Sequence, residues 1–100
     1  MKQPMRLDIS DNAKSDLSEI LAYLEQRSTR AAAALSDTLE AAILRLGDFR
    51  ELGRVRPEYG RGLRTLVCEN YIILYSFDAT ADLVLRVLDG RMDIEAQLDK

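Results

Sequence analysis

Apolar residues recur at helical spacing from residue 11 to residue 46, and the length of this stripe limits how the chain can fold. The stripe consists of Ala13, Leu17, Ile20, Leu21, Leu24, Ala31, Ala32, Leu35, Leu39, Ala42, Ile43 and Leu46. One straight helix over these positions would be about 54 Å long at ~1.5 Å per residue. A compact chain of 100 residues has a radius of gyration of about 13 Å. We therefore predict a helical hairpin that folds back at residues 26–30.

Small polar residues mark the expected ends of the two helices. Ser10 or Asp11 precedes the first apolar stripe and can cap the N-terminus of the first helix. Thr29 is the corresponding candidate for the second helix, and Gly47 is a natural end for that helix.

Alternating or continuous apolar runs predict strands on both sides of the hairpin. Residues 5–9 (MRLDI) alternate apolar and polar, which is typical of a short strand. Residues 64–69, 71–77 and 83–88 are also strand-like, and short links separate them, with Asn70 suited to a left-handed turn. Such links imply an antiparallel meander. The predicted fold is α+β in the order β-α-α-β-β-β, with the helical hairpin packed on a small, mainly antiparallel sheet.

Both faces of the predicted sheet are apolar, because Tyr71, Ile73, Tyr75 and Phe77 alternate with Ile72 and Leu74. The hairpin can cover one face. The chain is expected to be a single domain, residues 1–100, and its closing residues offer only Ile94 and Leu98 for the other face. We therefore expect an exposed apolar patch, which usually marks a partner surface.

Positive charge is concentrated in one irregular segment of an acidic chain. The net charge is −3, yet residues 50–64 contain five arginines and two glutamates, a local balance of +3. A local cluster on an acidic body disfavours direct sequence-specific DNA binding by this chain alone. The cluster includes Arg54, Arg56, Arg61 and Arg64. These arginines either pair with carboxylates of the chain itself or face a partner.

Two further arginines could join this segment in one cationic edge. Arg86 interrupts the apolar strand 83–88, so it must either pair with a carboxylate or lie where a partner docks, since a lone buried guanidinium is costly. Arg91 follows Gly90 at the expected end of the same strand.

The residue types present argue against a metal or an organic cofactor. The chain has no histidine and one cysteine, Cys68, which is expected to be a small buried hydrophobe in a strand. No run of eighteen apolar residues predicts a membrane span, and the first ten residues have no apolar core of a secretion signal. We therefore expect a cytoplasmic location.

Four stretches, taken in order, resemble the ParE branch of the ParE/RelE toxin superfamily of bacterial toxin–antitoxin modules. They are DISDNAKSDLSEILAYL (8–24), LGRVRPEYGRGLR (52–64), YIILYSF (71–77) and LRVLDGRMD (85–93). The first stretch is weak by itself, whereas the other three in this order are more specific. Family members often have histidine where this chain has Asp89.

The resemblance implies a toxin that acts on DNA gyrase and is held inactive by a ParD-like antitoxin. RelE-like relatives with the same fold instead cleave mRNA on the ribosome. RNA cleavage needs a general base with a pKa near the working pH, and without histidine the candidates are carboxylates such as Glu58 and Glu69 and the tyrosines. We therefore expect a binding inhibitor. An endonuclease and a non-toxic interaction module are the alternatives.

The expected partners are a ParD-like antitoxin, in a hetero-oligomer, and DNA gyrase as the target, with no membrane involved. The antitoxin is expected to add a helix along the hairpin and to extend a sheet edge. The candidate partner-binding residues are Arg54, Arg56, Arg61, Arg64, Arg86, Arg91, Leu17, Leu21 and Leu24.

Overall fold

The computed structural model describes residues 6–99, which form a layer of helices on one five-stranded sheet. The elements are β1 (Arg6–Ile9), α1 (Asp11–Arg27), α2 (Thr29–Asp48), β2 (Arg54–Val55), a short 3-10 helix (Pro57–Tyr59), β3 (Arg64–Cys68), β4 (Tyr71–Phe77), β5 (Ala81–Asp89) and α3 (Ile94–Leu98). Met5, which begins the predicted first strand, lies outside the described residues.

The strands are ordered β1-β5-β4-β3-β2 across the sheet. β1 runs parallel to β5, whereas the other three neighbouring pairs are antiparallel. The α+β prediction is therefore confirmed, and β3, β4 and β5 form the predicted meander. The sequence did not predict β2 or α3.

One extended residue separates the two helices of the hairpin. Ser10 caps α1, where its Oγ accepts a hydrogen bond from the Ala13 amide at 3.0 Å. The prediction that Thr29 caps α2 is wrong, since Ser28 accepts from the Ala31 amide at 3.1 Å. Ser28 has the extended backbone that a cap requires, with φ −163° and ψ 113°, and Thr29 is already helical. The second helix continues past Gly47 to Asp48.

The main core lies between the hairpin and the sheet. Its buried members are Ala13, Leu35, Leu39, Ile43, Leu46, Cys68, Ile73, Tyr75, Val84 and Val87. Cys68 is buried as predicted, and burial raises the pKa of its thiol, with a smaller contribution from the nearby Glu69 charge. A thiol of this kind is a poor nucleophile.

The β3–β4 turn differs from the prediction in one residue. Glu69, with φ 55°, has the left-handed conformation that the sequence suggested for Asn70.

A register shift at Leu74/Tyr75 changes the pairing between β4 and β5: Tyr75 lies opposite Val84 and Leu74 lies opposite Arg86. The extra residue on β5 is a β-bulge, which bends and twists a strand.

Beyond the end of β1, side chains take the place of a strand along the edge of β5. β1 pairs with β5 only as far as Val84. Past this point, Ser10 Oγ donates to the Leu85 carbonyl at 2.7 Å. The Gln97 side-chain amide exchanges two hydrogen bonds with the backbone of Asp89, both at 2.9 Å. This edge is therefore largely closed to a further strand.

The sheet face that points away from the hairpin is partly covered. Leu74 and Leu88 alternate with core residues along their strands, and both are buried. α3 contacts β5, and its Ile94 and Leu98 are half-buried. Val67 on β3 remains 70% exposed, so an apolar surface persists at that side of the sheet.

Candidate binding surfaces

The segment between α2 and β3 follows an irregular path that polar contacts fix to the sheet. Gly60 and Gly62 have φ angles of 148° and 76°, which glycine adopts without strain. The Tyr75 hydroxyl accepts a hydrogen bond from the Gly53 amide at 2.7 Å and donates one to the Arg50 carbonyl at 2.9 Å. The core therefore positions the first part of the arginine segment.

Two arginines of this segment make internal contacts. Arg64 Nη1 donates to the carbonyls of Glu51 and Gly53, at 3.2 and 2.9 Å. Arg50 Nε donates to Asp82 Oδ1 at 2.8 Å, and both guanidinium groups lie over the Phe77 ring, 4.4 Å (Arg50) and 5.4 Å (Arg64) from its centroid. Cation–π contacts of this kind stabilise the segment against the sheet.

Arg50 is a structural residue that the sequence analysis did not single out. Its carboxylate partner, Asp82, is 1% exposed, and Arg50 Nη2 also donates to the carbonyls of Asp78 and Ala81, at 2.6 and 3.1 Å. Nothing in the sequence links residues 50 and 82, because their contact depends on how α2 ends over β5.

Two arginines pair with carboxylates only two residues away. Arg56 Nε lies 3.0 Å from Glu58 Oε2, and its Nη2 donates to the Tyr59 hydroxyl at 3.1 Å. Arg91 donates twice to the Asp89 carboxylate, at 3.1 and 3.0 Å, and is 62% exposed. Each pair has one exposed member, Glu58 at 53% and Arg91 at 62%. Ion pairs open to solvent contribute about 0–1 kcal/mol each, so a partner's carboxylate can replace the neighbouring one at little cost.

Arg54 and Arg61 are exposed and have no side-chain partner among residues 6–99. Arg54 lies on β2, a two-residue edge strand, next to Val55, which is itself exposed. Arg61 lies in the glycine-flanked turn that precedes β3. These two guanidinium groups and the apolar Val55 beside Arg54 are available to another molecule.

Arg86 has an internal partner, which was one of the two alternatives that the sequence offered. Its Nε and Nη2 donate to the Asp16 carboxylate, and its Nη1 donates to the Gln97 carbonyl at 3.2 Å. The hydrogen bonds to Asp16 raise the pKa of Arg86, against a smaller opposing effect of burial. Arg86 therefore links β5 to both α1 and α3.

The structure does not bring all six arginines to one edge. The register places Arg54 and Arg86 on the same sheet face, in one row that crosses three inter-strand spacings, or about 14 Å at ~4.8 Å per spacing. Arg91 instead follows β5 at the end where β4 begins, whereas Arg64 lies opposite Tyr75, four residues further along β4. Arg91 is thus at the other end of the strands from the arginine segment.

An apolar groove of about 360 Å³ lies between the hairpin and β1. Its lining residues are Leu7, Ile9, Leu17, Leu21, Ser36, Leu39, Glu40, Ile43 and Leu44. Leu17 and Leu21 therefore line the groove, while Leu24 is half-buried against the core and is not part of the lining. The contribution of β1 was not predicted, because the sequence does not reveal which strand lies beside α1, and no residue of α2 had been named for the groove.

Residues 6–99 contain no group of three or more cysteine or acidic side chains placed to hold a metal ion. None of the helices in the same range has the length and apolar character needed to cross a lipid bilayer.

Comparison with known proteins assigns a family. A family model described as the ParE toxin of the type II toxin–antitoxin system parDE matches residues 7–94. Toxin ParE3 of Caulobacter vibrioides is 37% identical over 76 residues, which are 76% of each chain. A chain of the chromosomal ParDE TA system from P. aeruginosa has a similar fold, with a TM-score of 0.75 at 20% identity, covering 86% of this chain and 96% of that one.

Proposed function

This chain belongs to the ParE toxin family of type II toxin–antitoxin systems, and on that basis we propose that it inhibits DNA gyrase by binding and is neutralised by a ParD-like antitoxin. The proposed site of action is the cytoplasm. The main observation in support of a binding mechanism is that Arg54, on edge strand β2, and Arg61, in the turn before β3, are exposed and have no side-chain partner among residues 7–99.

The chemistry around the arginines favours binding over RNA cleavage. Asp89 stands where relatives often have histidine, and its hydrogen bonds with Arg91 hold the pKa of its carboxyl below the ordinary value. A carboxylate with a low pKa is a weak general base at neutral pH. Glu58, the candidate base within the arginine segment, is already paired with Arg56. These contacts support a recognition role for the arginines.

The groove beside the hairpin supports the proposal of an antitoxin helix. Leu17 and Leu21 line it, and Leu44 at its rim is 58% exposed. Amphipathic helices commonly bind by placing an apolar face in such a groove. Leu24 would support this helix from behind, through the packing of α1 on the core.

The six candidate arginines fall into three groups according to the contacts that each makes within the chain. We propose that Arg54 and Arg61 contact a partner's carboxylates directly, since they need not give up any internal contact. Arg56 and Arg91 can exchange their neighbouring carboxylates for those of a partner. For Arg64 and Arg86, the internal hydrogen bonds support a role in holding the surface in shape.

Expression of the chain alone in bacteria tests the proposed target. We expect growth arrest with induction of DNA-damage signalling and without global mRNA cleavage. Purified protein should also inhibit supercoiling by purified gyrase. The double variant R54A/R61A should lose most of both effects, whereas R30A removes an exposed and equally unpartnered arginine of α2 and should behave like the wild type.

Other outcomes identify the alternatives. Rapid mRNA cleavage without DNA-damage signalling would favour the ribosome-dependent endonuclease. Growth without either response, from a chain that still binds its antitoxin, would favour the non-toxic interaction module.

A further inference from the structure

The groove between the hairpin and β1 contains one charged residue. Seven of its nine lining residues are leucine or isoleucine, and the other two are Ser36 and Glu40. Both polar residues lie on α2, four positions apart, and Leu44 follows four positions later. Side chains at this spacing form a row along one side of a helix. Glu40 therefore lies in the middle of the groove wall, between a hydroxyl and an exposed leucine.

Glu40 has no cation paired with it among the side chains that the structure describes, those of residues 7–99. The positions one turn away on α2 are Ser36, Asp37, Ile43 and Leu44, none of which carries a positive charge. The carboxylate is exposed to solvent in the free protein, so it is hydrated there. A segment that fills the groove would cover part of this surface and remove water from the carboxylate.

Because binding removes that water, the Glu40 carboxylate favours some apolar ligands over others. A carboxylate that loses its hydration destabilises a complex unless a cation or hydrogen-bond donors replace the water. An apolar segment with an acidic residue at this position would also be repelled. The same argument disfavours fatty acids and anionic lipids as occupants. Glu40 thus discriminates among apolar ligands that would otherwise fit equally well.

We infer that Glu40 is a specificity-determining residue: the helix that occupies the groove carries a lysine or arginine that pairs with it. The inference rests on the proposed docking of an antitoxin helix and adds the charge that this helix must carry. A helix is the occupant because the groove is an open apolar trough walled by α1, α2 and β1, into which side chains at positions i, i+3, i+4 and i+7 of an amphipathic helix can project.

The inferred charge also orients the partner. β1, which borders the groove, and β2, which carries Arg54, are the two edge strands of the sheet. Four inter-strand spacings separate them, or about 19 Å at ~4.8 Å each. A partner that reaches both sites therefore has a basic position on its groove helix and acidic residues in the part that reaches Arg54 and Arg61.

A display library of amphipathic helices tests the inference without a known antitoxin. The library fixes leucines on one face and randomises the flanking positions, and it is selected separately on the wild type and on the variants E40Q and E40K. We expect lysine or arginine to be enriched at one flanking position on the wild type. The enrichment should disappear on E40Q and change to aspartate or glutamate on E40K.

Two controls confine the result to the groove. Glu25 is an exposed glutamate of α1 outside the groove lining, with no partner among the described side chains of residues 7–99, so E25K should select the same helices as the wild type. Selected helices should lose binding to L44D, which places a charge at an exposed rim position. For one selected helix, lysine-to-glutamine replacement should weaken binding to the wild type roughly three- to tenfold and to E40Q by much less.

The experiment distinguishes failure of the inference about Glu40 from failure of the proposed antitoxin docking. Groove-binding helices with no basic preference, or with a preference that persists on E40Q, would overturn the role of Glu40 and leave antitoxin docking intact. Selection of no helix sensitive to L44D would overturn both the inference and the proposed use of the groove.

Discussion

Asp16 and Arg86, seventy residues apart in sequence, form a two-point ion pair in which Asp16 Oδ2 lies 2.7 Å from Arg86 Nε and Oδ1 lies 3.0 Å from Nη2. The same Oδ2 accepts a hydrogen bond from the Val87 amide at 2.9 Å. Asp16 therefore joins α1 to β5 where β1 no longer covers the strand edge. This contact explains how an arginine is accommodated within an apolar strand.

We expect Asp16→Ala to lower the free energy of unfolding by about 2–4 kcal/mol, because it removes the acceptor of the Val87 amide and two of the three hydrogen bonds of the Arg86 guanidinium. Asp16→Asn should cost about half as much, since its amide oxygen can still accept from Val87. Urea denaturation measures both. Asp37→Ala, at an exposed carboxylate of α2 with no partner in residues 6–99, should have little effect. Equal losses for the two Asp16 variants would show that the Val87 hydrogen bond contributes nothing.

Gly53 and Gly47 should respond in opposite directions to the same substitution. A Cβ at Gly53 would lie 2.5 Å from the Tyr75 Oη and 2.8 Å from the Thr65 carbonyl oxygen, so Gly53→Ala must displace the arginine segment. We expect Gly53→Ala to lower the free energy of unfolding by about 2 kcal/mol or more. Gly47 is helical, and an added Cβ would have open space around it. Gly47→Ala should therefore raise the free energy of unfolding by about 0.5–1 kcal/mol.

Thermal unfolding gives the melting temperatures of these two variants and of the wild type. If Gly53→Ala melts at the wild-type temperature, the arginine segment is not held against Tyr75 as described. Binding of the antitoxin should weaken in the same variant, because Arg54 directly follows Gly53.

Acid unfolding should depend on two carboxylates with lowered pKa values. Hydrogen bonds with Arg91 lower the pKa of Asp89, and hydrogen bonds from Thr80 and Ala81 lower that of Asp78. At acid pH the folded protein then binds fewer protons at these sites than the unfolded chain. Their contribution is complete above the ordinary carboxyl pKa of about 3.9 and is lost as the pH falls through the lower folded values.

The double variant D78N/D89N should therefore show a shallower loss of stability below about pH 4, relative to its own stability at pH 7. Chemical denaturation at a series of pH values gives the slope. Asp37→Asn is the matched control. An unchanged slope in the double variant would indicate that other carboxylates dominate acid unfolding.

The sequence predicted the elements whose signals are local. The hairpin followed from periodicity and chain length, and the meander followed from three apolar runs with short links. The missed elements are short: β2 has two residues and is defined by its pairing with β3, and α3 has five. The cap at Ser28 instead of Thr29 was a one-residue ambiguity, which only the backbone conformation resolves.

The candidate surfaces were harder to predict, because contacts between distant residues decide them. Arg50 pairs with Asp82 and Arg86 with Asp16 across 32 and 70 residues. Single-sequence reasoning could offer internal pairing of Arg86 as an alternative but could not name its partner. Similarly, the groove beside Leu17 and Leu21 depends on α2 and β1, whose placement is a property of the whole fold.

The arginines yield the last prediction, since their contacts differ while their residue type does not. Arg54→Ala and Arg61→Ala should each weaken antitoxin binding by about tenfold if the pair formed with the partner is desolvated, because charge-assisted hydrogen bonds contribute roughly 1.5–3 kcal/mol. Neither should change the melting temperature. Arg64→Ala should lower stability as well, since it removes hydrogen bonds to the Glu51 and Gly53 carbonyls.

Antitoxin affinity and melting temperature are measured together for these variants, at low and moderate salt, with Arg30→Ala as the control. Lysine at positions 54 and 61 should recover only part of the lost affinity, because an ammonium cannot reproduce the planar fork of arginine. If the alanine variants at positions 54 and 61 bind the antitoxin like the wild type at moderate salt, the arginine–carboxylate pairs remain solvated in the complex. Wild-type affinity for both alanine variants at low salt would show that the two unpartnered arginines do not face the antitoxin.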